Sequence, residues 1–172
     1  MEISRISPSK GIDKNKKKEK EKEIIGESPD QELNVSPRWL IFEPTHNYSK
    51  PLRSSLTIDN LDEYPIAFCI RTKERQMPRM NMAYGILRER ESISVDVIVP
   101  PSNDWIKNEE STIGRHHRIV FESLRIPSSV NIPLNGKERN ELGKQIFRST
   151  QQYCPFLRIY SKSNLILLPI KH

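Results

Sequence analysis

The sequence has only two cysteines in its 172 residues, Cys69 and Cys154, far apart and in no Cys-x-x-Cys pair. That excludes a disulfide framework and a thiolate zinc site. No apolar run approaches the ~18 residues that a membrane-spanning helix needs, and Met1-Glu2-Ile3-Ser4-Arg5 lacks the apolar stretch of a signal peptide. The expectation is a soluble, cytoplasmic protein with no transmembrane anchor. Glycine is scarce, 6 residues against 13 prolines, and the patterns Gly-x-x-x-x-Gly-Lys-Ser/Thr, Gly-x-Gly-x-x-Gly, Gly-x-Ser-x-Gly and His-Glu-x-x-His are all absent. His116 and His117 are adjacent, so on a strand they point to opposite faces and cannot share a metal. No catalytic residue, no metal ligand and no cofactor is expected, and the chain does not read as an enzyme.

What is present is positive charge. Residues 1–32 carry 8 Lys/Arg and 8 Asp/Glu, leaving 20 basic against 14 acidic residues from 33 onward, so the net +6 belongs to the body of the chain. That excess favours an anionic partner, whether an acidic peptide, a phosphoinositide surface or nucleic acid. Arg71, Lys73, Arg75 and Arg79 could contact phosphates, but no aromatic platform or recognition helix accompanies them in the sequence, and nucleic acid is not the expected partner. The run from Lys14 to Glu23 is almost devoid of apolar residues, and 1–32 reads as a disordered charged tail that buries too little to offset its ordering entropy.

From Leu33 onward, short apolar runs are separated by proline and polar clusters at the spacing of a β-sandwich. Segments 33–35 and 39–42 flank Pro37, which predicts an edge strand that bends or switches sheets. Segment 55–60 puts Leu56 and Ile58 on one face, and Asn60 then favours a turn through local side-chain hydrogen bonds. In 66–72, Ile66, Phe68 and Ile70 form a core face, with Ala67, Cys69 and Arg71 on the surface face. Gly85 reads as a positive-φ turn ahead of Ile86 and Leu87. Segment 93–99, with Ile93, Val95, Val97 and Val99 alternating with Ser94, Asp96 and Ile98, is the clearest strand, ended by Pro100-Pro101. Residues 118–122 predict another strand, 137–148 a short helix with Leu142 and Ile146 four apart, and 156–160 a closing strand. Met77, Met80 and Met82 are either an adaptable binding surface or loop packing. The expected fold is all-β: an immunoglobulin-like sandwich of about seven strands with one short late helix. Its expected organisation is a tail at 1–32, a domain at 33–160 and a carboxy-terminal extension at 161–172. In that extension, 165–170 either adds a strand at a sheet edge or stays frayed.

Several segments, in this order, resemble the major sperm protein (MSP) domain: Val35-Ser36-Pro37 with Leu40 and Phe42, Ser55-Leu56-Thr57-Ile58-Asp59-Asn60, Ala67-Phe68-Cys69-Ile70-Arg71-Thr72-Lys73, Tyr84-Gly85-Ile86-Leu87, Glu91-Ser92-Ile93-Ser94-Val95 and His117-Arg118-Ile119-Val120-Phe121. The resemblance implies an MSP/PapD-like sandwich that binds protein partners. In the VAMP-associated branch of the family, it implies a basic groove for an acidic peptide containing phenylalanine. The groove's basic and hydroxyl positions fall on Arg71, Thr72 and Arg118. A lysine usual after the buried phenylalanine is Cys69 here, a methionine usual on the late strand is Val120, and the threonine that often follows Thr72 is Lys73. Lys73 and Arg75 partly replace the missing cation. The sperm branch implies homodimers that build cytoskeletal filaments in nematode sperm. A stand-alone interaction module for a cytoskeletal or membrane-associated partner fits the sequence better, with self-assembly as the alternative.

Overall fold

The computed structural model describes residues 23–171. Most of the expected charged tail, including its lysine-rich run from Lys14 to Lys22, lies outside the described residues.

The fold is two packed β-sheets. Sheet one holds β1 (Asn34–Ser36), β3 (Leu52–Asp59), β7 (Ser92–Val99) and β5 (Arg79–Met80), in the order β1-β3-β7-β5. Sheet two holds β2 (Trp39–Phe42), β9 (Ile159–Leu167), β8 (His116–Arg125), β4 (Ile66–Thr72) and β6 (Tyr84–Leu87), in the order β2-β9-β8-β4-β6. The chain leaves sheet one and enters sheet two at Pro37, as the proline predicted. All pairs are antiparallel except β2 with β9, where Trp39–Phe42 runs parallel to 164–167. Among the described residues two α-helices accompany them, α1 (Glu109–Thr112) and α2 (Gly136–Tyr153).

Alternation produces the main core. Leu56, Ile58, Val95, Val97 and Val99 point inward from sheet one, and Leu40, Phe42, Phe68, Ile119, Phe121, Leu165 and Leu167 meet them from sheet two. Tyr48 closes one end. It is fully buried, its hydroxyl donates to the Leu168 carbonyl at 2.5 Å, and the Phe42 carbonyl lies 3.2 Å away.

Several expectations need correction. Of the closing strand expected at 156–160, only Ile159 and Tyr160 belong to the observed one. Phe156 lies in a short turn, and β9 runs through the expected boundary at 160 to Leu167, inside sheet two rather than at its edge. The alternation of Ser161, Ser163, Leu165 and Leu167 drives this, since all four side chains are buried, but the two serines disguise the period. The tail also ends earlier than residue 32. Ile24 packs on α2's cluster, Gly26 N–H donates to Thr150 Oγ1 at 2.7 Å, and Glu27 pairs with Arg125 through two backbone hydrogen bonds of 2.9 and 2.7 Å. Gly85 lies within β6 and does not have positive φ. Its lack of a side chain is used differently: a Cβ there would sit 2.4 Å from Cζ of the buried Phe68.

The helix is longer than expected and builds a second core. Asn135 caps it, Oδ1 accepting from the Lys137 N–H at 2.8 Å. Ile146 and Phe147 then pack on Ala67, Cys69, Ile86 and Leu124, with Leu142 and Tyr84 at the margin. Gly143 permits the approach: a Cβ on it would lie 3.0 Å from the Gly85 carbonyl oxygen. The outward face of β4, expected to be surface, is therefore buried at Ala67 and Cys69 and exposed only from Arg71.

Candidate functional site

The outward face of sheet two divides in two. Helix α2 covers its lower half, across β6, β4 and the end of β8. The upper half, formed by β2, β9, the start of β8 and the end of β4, is bare. Register fixes what this bare half presents. Arg71 lies beside Val120, which lies beside Lys162; one step along, Arg118 lies beside Asn164, which lies beside Trp39. All six positions have outward parity in their strands.

The five sequence-predicted residues are thus brought to one region but not to one face. Arg71, Val120 and Arg118 project outward together. Thr72 has the opposite parity and its hydroxyl donates to the Glu74 carbonyl at 2.9 Å, holding the turn. Lys73 is exposed just past the strand. Together with Lys107, Arg115 and His116 they line a groove of about 680 Å³. Sequence reasoning missed the last three. Lys107 comes from the 100–115 loop and is placed there by an ion pair with Glu74 at 2.7 Å; nothing in the sequence tied that loop to β4. Arg115 was legible only as part of the run Arg115-His116-His117-Arg118.

The histidines do point to opposite faces. His117 is buried with Nε2 2.9 Å from the Thr112 carbonyl. His116 faces outward, its Nε2 2.6 Å from Asn164 Oδ1 and its ring stacked on Trp39 at 5.1 Å between centroids and 24° between planes.

The groove floor is set by Glu122. Its nearly buried carboxylate accepts from Arg71 Nε at 3.2 Å and from Arg158 Nη1 at 3.1 Å. Arg158 is itself largely enclosed, whereas the Arg71 side chain keeps 45% of its accessible surface and faces the groove. Cys69, next along β4, adds no charge. Burial pushes its thiol up, against the pull of the Arg71 guanidinium. Among the described residues, no group of three potential metal ligands comes together, and no helix is long and apolar enough to cross a membrane.

The profile of the MSP (major sperm protein) domain matches residues 32–135. Among solved structures, SSP-19, an MSP-domain protein like family member in Caenorhabditis elegans, superposes with a TM-score of 0.52 and 11% identity over 78% of this chain and 99% of its own. WR4, a C. elegans MSP family member, superposes with a TM-score of 0.50 and 12% identity over 80% of this chain and 97% of its own. None of the curated proteins compared with the chain matches it. Helix α2 and strand β9 both lie beyond the matched residues.

Proposed function

Because the chain belongs to the MSP domain family, we propose that it is a non-catalytic protein-interaction module that holds an acidic, phenylalanine-containing peptide across Arg71, Thr72, Lys73, Arg118 and Val120. The observation that carries this reading is the register of β4 against β8, which sets the Arg71 cation beside apolar Val120 with Arg118 one step along, in a groove whose rim adds Lys73, Lys107 and Arg115. Cations beside the apolar Val120 side chain suit a ligand that alternates carboxylates with apolar side chains. Of the two glutamates that line the groove, Glu122 is compensated by Arg71 and Arg158 and Glu74 by Lys107, so neither cancels the charge of Lys73, Arg115 and Arg118. The free thiols of Cys69 and Cys154 suit a reducing, cytoplasmic setting in which the partner is a cytoskeletal or membrane-associated protein.

The test uses the full chain and a 12-residue peptide of Asp and Glu with one central Phe. Arg71 is a poor choice for mutation because it also holds Glu122, so the variant is Lys73→Glu with Arg118→Glu, two exposed positions. Calorimetric titration is expected to show affinity weakened by about tenfold or more at unchanged melting temperature, and wild-type binding that falls steeply as salt is raised. Equal affinity in the double variant refutes the groove reading.

A further inference from the structure

The bare face continues past the groove. Beyond Arg118, across β9, stands Trp39 on the edge strand β2, 49% exposed although it is one of the largest apolar side chains in the chain. Ile41, two residues on, is 63% exposed on the same side. Neither is needed by the core, whose β2 contributions are Leu40 and Phe42. A pair of exposed apolar residues on an open sheet edge invites misassociation unless it is used.

The posture of Trp39 says how it is used. The indole lies nearly parallel to the His116 ring, which is fixed in turn by the 2.6 Å contact to Asn164 Oδ1. An aromatic ring held down in this way presents a flat π-surface, suited to another planar side chain and unsuited to insertion among lipid tails. His116 also lines the groove, so platform and groove form one continuous surface. On the outward positions of β2, β8 and β9 the nearby charges have one sign: Arg118 lies across Asn164 from Trp39, Lys162 is two residues from Asn164 along β9, and the compensated Glu122 lies further along β8. That field disfavours a second copy of this basic chain and favours an anionic ligand.

We infer that Trp39, backed by His116, is an aromatic-recognition site at which the acidic partner segment docks its aromatic side chain while its carboxylates lie on Arg118 and the groove cations. This rests on the groove reading above and adds to it the residue that would set specificity. Single-stranded nucleic acid is the competing ligand for exposed rings among cations, and the oligonucleotide arm of the experiment separates it from an acidic peptide.

The experiment is a double-mutant cycle by calorimetry on the full chain. The ligands are the 12-residue Asp/Glu peptide with central Phe and its Phe→Ala counterpart, and the proteins are wild type, Trp39→Ala and Trp39→Phe. The expectation is that Trp39→Ala weakens the Phe peptide by about three- to tenfold, leaves the Ala peptide unchanged, and is largely rescued by Trp39→Phe. Equal losses for both peptides, or none for the Phe peptide, overturn the platform while leaving the groove reading standing. Absence of binding by wild type to either peptide overturns both. A dT12 oligonucleotide that binds wild type and displaces the Phe peptide, or concentration-dependent sedimentation that Trp39→Ala abolishes, would assign the platform to nucleic acid or to a second copy and refute the inference.

Discussion

Arg158 places Nη1 3.1 Å from Oε2 of Glu122, joining a residue that precedes β9 to the outward face of β8 across 36 positions of sequence. Both side chains are largely enclosed, and Arg71 approaches the same oxygen from β4. One carboxylate thus ties β4, β8 and the approach to β9 together beneath the groove.

Removing that charge should loosen the fold. In Glu122→Gln the amide keeps the shape but leaves the enclosed Arg158 cation without a counter-ion. The expected cost is about 2 kcal/mol, most of it from Arg158, because Arg71 is half exposed and water screens its share. Urea denaturation should show a lower midpoint with unchanged slope, and a midpoint equal to wild type would mean that the pair contributes nothing net.

Tyr48 makes stability fall at alkaline pH. Burial pushes its phenol up to about 12, against about 10 in the unfolded chain. A folded-state value above the unfolded one means that the contribution is complete below pH 10 and is lost as pH rises from 10 through 12, up to roughly 2–3 kcal/mol. The check is the difference between wild type and Tyr48→Phe in urea unfolding at pH 9 and at pH 11.5. Wild type should lose more over that interval than the phenylalanine variant, and parallel losses would show that Tyr48 does not stay protonated.

A fragment ending at residue 160 should not fold. It lacks seven of the nine residues of β9, which stands between β2 and β8 and supplies Leu165 and Leu167 to the core. Circular dichroism and amide dispersion should show a disordered chain, whereas 23–171 should give a cooperative transition; a folded 33–160 fragment would mean that sheet two closes without its ninth strand.

How much of this was written in the sequence varies by segment. Strands β3 and β7 were legible because one face meets the core and the other does not, so Leu56 and Ile58, or Val95, Val97 and Val99, recur with period two. Strand β9 was not, because two of its four buried positions are Ser161 and Ser163, whose hydroxyls are tolerated by partners nearby; Ser163 Oγ donates to the Pro37 carbonyl at 2.9 Å. Ala67 and Cys69 carry no mark of the helix that covers them, since alanine and cysteine suit either surface or core. At the site, Arg71 and Arg118 were legible as strand residues of a family pattern, but their shared partner Glu122 and the rim residue Lys107 depend on contacts distant in sequence. Trp39 was read only as part of an edge strand, because parity within four residues does not reveal which side is bare.

Helix α2, lying over one half of sheet two and not the other, also shapes how the molecule can change over generations. Substitutions under the helix, at Gly85 or Gly143 for example, meet packed atoms at once and are purged for stability. The uncovered half, with its exposed residues Lys73, Arg118, Trp39 and Ile41, can drift at little cost to folding, most single changes there falling within about 0.5 kcal/mol. The part of the surface proposed to select a partner is therefore also the part most free to diverge, so copies of this fold can acquire new preferences while their scaffold stays the same.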